Sequence, residues 1–207
     1  MPRKISRLVL AAALALAACL TVAAVALGGA PAKRTRAQSA SAAAHAAAAR
    51  GLAELAPDVA ALRAVREPSD AVTDQLVQSP LLADGVADPA LSRRVGFSKP
   101  AWLLPATDGR SVCVLTNGSL SCPLAADVVD HGLAPSVTWS ADGPIRIAGI
   151  ASDQVSSAEV VESDGSVRTV EISGNLLDYS SEHPPRAVRW TGPDGPHTFA
   201  IPEIKGR

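Results

Sequence analysis

Aromatic side chains are scarce in this sequence, and the shortage is localised. Three tryptophans, one tyrosine and two phenylalanines are the complete set in 207 residues, and none precedes Phe97. A stretch without aromatics has little with which to fill a packed core. The reading therefore places a β domain at residues 97–207, with its core from Phe97 to Ile204, and treats the preceding chain as delivery and spacing. Cysteine is nearly absent too: Cys19, Cys113 and Cys122 leave one pair inside the domain. Basic residues are short in the same place. The first 36 residues carry +6 with no acid among them, so a net charge of -1 leaves about -7 for the remainder. An acidic domain without a basic stripe is a poor partner for phosphate backbones, which excludes nucleic acid as its ligand. Catalytic signatures are missing as well. There is no Gly-x-Ser-x-Gly, no glycine-rich phosphate loop and no His-x-x-x-His pair, and His131, His183 and His197 lie in separate segments. No catalytic residue, no cofactor site and no metal site is assigned on this reading.

What is present at the amino terminus is one long apolar run. Residues 1–7 form a basic cytoplasmic tail, and Leu8–Leu27 follows as 20 residues with Thr21 as its only ordinary polar member. A helix of that length spans about 30 Å, the thickness of a bilayer's hydrocarbon core. The run is membrane-directed, as an uncleaved signal anchor or as a cleaved signal peptide. Small residues at Ala26-Leu27-Gly28 and Ala30-Pro31-Ala32 suit a signal peptidase. Leu16-Ala17-Ala18-Cys19 resembles the lipobox of bacterial lipoproteins, in which Cys19 is lipidated, but the apolar run continues past it through Leu27. The anchor makes the membrane a partner and puts the rest of the chain outside the cell membrane, or secreted. Disulfide chemistry at Cys113 and Cys122 requires that oxidising side.

Residues 28–66 form an alanine-rich, partly helical spacer. Leu52, Leu55, Val59 and Leu62 recur at helical spacing, with Pro57 interrupting. A solvated stalk fits this better than a coiled coil, since fewer than two heptads are present. His45, inside an alanine run, has no evident partner. Residues 67–96 read as a connector with short helices, and Asp88-Pro89 supplies a capping residue followed by proline at the first helical position.

The domain is organised around Ser111–Cys122. Asn117-Gly118 between two apolar runs is the strongest short-range hairpin signal, because a type I′ loop needs positive φ at both central residues. That turn pairs Thr116 with Ser119, Leu115 with Leu120 and Val114 with Ser121, and sets Cys113 opposite Cys122 at a non-hydrogen-bonded site within disulfide range. The bridge closes about ten residues, worth roughly 2.5 to 3 kcal/mol by the chain-entropy argument. A four-residue loop around Asp108-Gly109 pairs Ala101–Ala106 with Ser111–Thr116 and spares Pro105 a ladder bond it cannot make. Trp102, Leu104, Leu115 and Leu120 then share the disulfide's face. Pro123–His131, followed by Gly132, reads as a short helix.

Further strands are expected at Ser136–Ser140, Pro144–Ile150, Ala158–Glu162, Ser166–Ile172, Arg186–Thr191 and His197–Ile201. Around Asp164-Gly165 two registers remain open, Val160 opposite Thr169 or Val161 opposite Val167. In the last hairpin Val188 and Trp190 should meet Phe199 and Ile201. With about seven or eight strands, the fold class is mainly β: an antiparallel sandwich or partly open barrel, immunoglobulin-like in a broad sense, behind an N-terminal membrane or signal helix and the alanine-rich spacer.

Asp127, Asp130 and His131 form the only compact titratable group in the domain. They are the candidates if the chain is an envelope hydrolase or a metal-dependent enzyme. The plainer account is a histidine at the negative end of a helix dipole beside solvated aspartates. The stretches Pro89–Val95 and Ala101–Pro105, the two cysteines, Gly149–Val155 and the following Asp-Gly hairpin resemble hypothetical signal-anchored envelope proteins of high-GC bacteria. That resemblance covers about half the chain and implies the layout; it brings no activity. The expected function is a non-catalytic β domain, membrane-tethered or secreted, with a binding or structural role toward an envelope protein or polymer.

Overall fold

The computed structural model describes residues 36–73, 76, 82, 85–96, 100–116, 119–139, 144–181 and 183–203. Leu8–Leu27, Phe97 and the turns at Asn117-Gly118 and Asp142-Gly143 lie outside the described residues. Among the described residues no helix is long and apolar enough to cross a membrane. The fold is mainly β: among the described residues eleven strands form three antiparallel sheets, none of them closed into a barrel.

The first sheet runs in chain order, β1 (Arg93–Val95), β2 (Ala101–Pro105), β3 (Val112–Thr116) and β4 (Ser119–Ser121). Its registers are those the turn chemistry dictates. Trp102 faces Leu115, Leu104 faces Cys113, and Leu115 faces Leu120. Ala106 N–H donates to Ser111 carbonyl oxygen across a four-residue loop, so Pro105 falls at a non-hydrogen-bonded site where its missing N–H costs nothing. Cys113 and Cys122 are joined in a disulfide, with their Cα atoms 3.9 Å apart. Every residue of β2 and β3 is buried, so both faces of this sheet are covered. Trp102, Leu104, Cys113 and Leu115 pack under the connector residues Val72, Leu82 and Ala87. Leu103, Val112 and Val114 look the other way.

That second face explains the helical stripe. Helix α1 (Arg36–Leu55) and the one-turn helix α2 (Ala60–Arg63) are separated by a turn at Ala56–Asp58, where Pro57 breaks the pattern. Leu55, Val59 and Leu62 are buried in one cluster with Leu103, Val114, Ile150 and Leu176. The buried core thus reaches further toward the N-terminus than the aromatic residues suggest, and residues Ser41–Arg207 make one compact unit. A four-residue helix cannot hold itself, and α2 has no side-chain cap of its own. Its cap comes from the β domain. Asp153 Oδ1 accepts Ala60 N–H at 2.8 Å, Asn175 Oδ1 accepts Ala61 N–H at 3.0 Å, and Arg63 meets Asp153 Oδ2 at 2.5 Å. Burial pushes the Asp153 carboxyl up, but the bonds from Asn175, Ala60 and Arg63 outweigh it and hold it below the usual carboxylate range. His45 also has a partner: its Nδ1 lies 2.5 Å from Asp88 Oδ2, while Asp88 Oδ1 caps Ala90 N–H at the expected proline turn. That turn ends at Leu91, and Arg93–Val95 continues as β1.

The second sheet has the order β5 (Leu133–Thr138), β6 (Ile145–Ala151), β9 (Leu176–Ser181). Alternation along these strands serves two cores at once. Ala134, Ile150 and Leu176 join the cluster around Leu55 and Leu103, whereas Leu133, Ile147 and Leu177 face the third sheet. The third sheet has the order β11 (Gly195–Ala200), β10 (Pro185–Gly192), β7 (Ser157–Glu162), β8 (Val167–Glu171). Ala158, Val160 and Val188 cover the same core from its side. In the β7–β8 hairpin Val161 pairs with Val167, the three-residue alternative, with Gly165 at φ 86°.

Candidate functional site

The C-terminal end of helix α3 (Ala125–His131) and the β10–β11 hairpin build one site between them. The helix forms as its punctuation indicates: proline stands just ahead of it, and Gly132 ends it in the left-handed region at φ 80°. The chain then turns directly into β5. Gly132 N–H donates to Val128 carbonyl oxygen at 3.0 Å, and Gly132 carbonyl oxygen accepts Ser152 N–H at 2.7 Å, which fixes where the helix stops.

The hairpin meets that end at very short range. A Cβ on Gly192 would lie 2.1 Å from the His131 carbonyl oxygen, and a Cβ on Gly132 would lie 2.7 Å from Val155 Cγ2 and 2.9 Å from Pro193 Cδ. Only backbone without side chains can approach so closely. The His131 carbonyl, one of the unpaired acceptors at a helix end, takes the Trp190 indole N–H at 2.7 Å. Residues 59 positions apart are thereby pinned.

The expected hairpin register is two residues off. Centring the loop on Asp194-Gly195 sets Trp190 opposite Phe199, but the loop is Pro193-Asp194, with Gly192 opposite Gly195. Proline's fixed φ suits the first loop position, and Gly195 takes φ 127° immediately after the loop. A slip of two keeps each side chain on its face, so Val188 still contributes to the core, but Trp190 now pairs with His197. Their rings stack with centroids 5.3 Å apart and planes at 22°.

Three titratable groups converge there. His197 Nε2 lies 2.5 Å from Asp194 Oδ1, and His131 Nδ1 lies 3.5 Å from Asp194 Oδ2. The two imidazoles are 4.8 Å apart between centroids. The His197 ring beside it holds the Asp194 carboxyl below the usual carboxylate range, against a smaller opposing effect of burial. The side chains of His131 and Asp194 are about half exposed, at 46 % and 53 %, whereas that of His197 is 19 % exposed beneath the stack.

Beside these rings runs an open groove of about 320 Å³ between α3 with the start of β5 and the β10–β11 hairpin. Pro123, Pro135, Trp190 and Phe199 give it apolar walls; Asp127, His131, His197 and Thr198 supply its polar groups. Of the three candidates read from the sequence, Asp127 and His131 line this groove. Asp130 is exposed and does not line it. The sequence places His197 and His131 in separate segments and does not single out Asp194; the usable signal was local: in the Trp-Thr-Gly-Pro-Asp-Gly-Pro-His run, a Pro-Asp loop puts Trp190 against His197. His183 takes no part; its backbone N–H is bonded to Ser181 Oγ at 3.2 Å on the far end of β9. Among the described residues no serine, threonine or cysteine side chain is hydrogen-bonded to an imidazole, so a nucleophile–base pair is not assembled. The buried carboxylate of Glu162, 2 % exposed, is engaged by Tyr179 Oη at 2.9 Å and by Ser181 Oγ. Burial, reinforced by that carboxylate, pushes the Tyr179 phenol up. This pair belongs to the packing between β7 and β9. No family model, no curated protein and no solved structure matches the chain.

Proposed function

We propose that the chain is an extracytoplasmic, non-catalytic β domain that holds a component of the cell envelope, protein or polymer, in the groove between α3 and the β10–β11 hairpin. The observation that carries this reading is the lining of the groove. Apolar walls from Trp190, Phe199 and two prolines stand beside polar groups at Asp127, His131 and Thr198. Such a surface offers apolar contact area with a few fixed polar anchors, the usual make-up of a recognition site. Export is supported by the Leu8–Leu27 run and by the Cys113–Cys122 bridge, which suits an oxidising compartment. The second and third sheets, facing each other across Ile147 and Val188, suit the sandwich expectation. A second reading, a metal-dependent envelope enzyme, is favoured by one observation, the meeting of His131, Asp194 and His197.

Retention of the full-length chain on washed, insoluble envelope material separates these readings. Asp127 lines the groove from the surface of α3 and takes no part in the core, so Asp127→Arg should cut retention at least about fivefold by filling the groove. Arg168→Ala, on the exposed strand β8 away from the groove, should leave retention unchanged. Equal retention of all three proteins would exclude the groove as the binding surface, and steady release of soluble fragments from the envelope polymer would replace binding with turnover.

A further inference from the structure

We infer that His131, Asp194 and His197 form a three-ligand site for a borderline divalent transition-metal ion of the zinc class. This goes beyond envelope binding and stands on a different observation, the geometry of the three donors. Each offers one ligand atom, and these atoms all lie within 4.8 Å of one another. A tetrahedral zinc ion with bonds of about 2.0–2.1 Å to nitrogen and oxygen needs its ligand atoms about 3.3 Å apart. His131 Nδ1 to Asp194 Oδ2 is 3.5 Å, and His197 Nε2 to Asp194 Oδ1 is 2.5 Å. Seating the ion therefore needs the His197–Asp194 pair to open by under about 1 Å and the widest pair of ligand atoms, up to 4.8 Å apart, to close by up to about 1.5 Å, movements within reach of side-chain rotation at the half-exposed His131 and Asp194.

The chemistry of the donors selects the metal. Two imidazole nitrogens and one carboxylate suit zinc, nickel or copper, while calcium and magnesium want a full set of oxygens that this site lacks. Three protein ligands leave the fourth position open to solvent or to a ligand lying in the groove, the arrangement of a zinc site that is not purely structural. The surroundings hold two of the ligands in place. His197 is stacked on Trp190, the same indole bonds the His131 carbonyl, and Gly192 allows the contact that sets helix and hairpin side by side. These contacts fix where the two ligand-bearing elements stand before an ion binds. The ligands come from two elements 63 or more residues apart in sequence, so the bound ion would clamp the C-terminal hairpin to α3.

The test uses the full chain carrying Cys19→Ser, which removes the one cysteine outside the disulfide. After stripping with chelator, the protein is dialysed against Zn²⁺ at about 10 µM free ion and its metal content is measured. One zinc per chain is expected, with a rise in unfolding temperature that grows with zinc concentration. His131→Gln/His197→Gln should weaken binding by at least about 100-fold, more than the loss of an outer contact does. Asp194→Asn, at an exposed turn, provides a second variant that leaves the fold intact and should also lose the zinc-dependent temperature rise. Asp130→Asn, exposed and outside the groove, should bind as the parent does. Replacement of zinc by Co²⁺ should give visible ligand-field absorption in the parent and none in the double variant. A parent chain that takes up no zinc, or ligand variants that bind it as tightly as the parent, would overturn the site.

Discussion

Leu55→Ala is expected to destabilise the domain by about 3 kcal/mol, within the range for emptying a buried leucine site. In a unit of this size that lowers the unfolding temperature by about 8 °C. The size of the effect decides between two accounts of residues 41–66. A solvated stalk loses less than about 0.5 kcal/mol from such a change. In the structure Leu55 is 0 % exposed and shares a cluster with Leu103, Val114 and Ile150, so its removal opens a cavity between the helical segment and two sheets. Val65→Ala is the internal control, because Val65 lies three residues past Leu62 on the same segment and is 88 % exposed. Urea unfolding followed by tryptophan fluorescence measures both, and a Leu55→Ala midpoint equal to that of Val65→Ala would return this segment to the status of a spacer.

Gly192→Ala is expected to cost about 3 kcal/mol, at the upper end for overpacking, because the atom it strikes is backbone. The added methyl would stand 2.1 Å from the His131 carbonyl oxygen and 2.9 Å from its carbon. No rotamer change relieves that. Helix α3 and the hairpin must separate, which breaks the Trp190–His131 hydrogen bond and draws His131 away from His197. Stability and site geometry should therefore fail together. Unfolding measurements give the first, and the environment of the Trp190 indole, read by its N–H resonance, gives the second. An alanine variant as stable as the parent, with that resonance unmoved, would show that the two elements are not in contact at this point.

What was legible in the sequence was local. The β2–β3–β4 registers and the disulfide follow from two turns whose residue types dictate their loop length, and the structure reproduces Trp102 opposite Leu115 and Leu104 opposite Cys113. Helix α3 was equally legible from its flanking proline and glycine. The leucine stripe at Leu52, Leu55 and Leu62 announced a helix but not its destination. That destination depends on Asp153 and Asn175, more than 90 residues away, which supply the missing cap. Strand β9 escaped notice because Leu176 and Leu177 are adjacent rather than alternating: one serves each core, as a strand between two packed faces must. The His131–Asp194–His197 cluster required two things at once, a loop that uses Pro193-Asp194 instead of Asp194-Gly195, and the glycine-mediated contact with α3. Neither is encoded in spacing alone.

The proposed envelope role requires an oxidising compartment for the Cys113–Cys122 bridge, and the redox state of the two cysteines in the producing cell tests this most directly. Thiols are blocked by alkylation at the moment of lysis, and the peptides spanning both positions are weighed with and without reduction. The two cysteines should be joined, and unalkylated until reductant is added. Recovery of both as alkylated free thiols would contradict the bridge and, with it, the oxidising compartment on which the proposed envelope role depends.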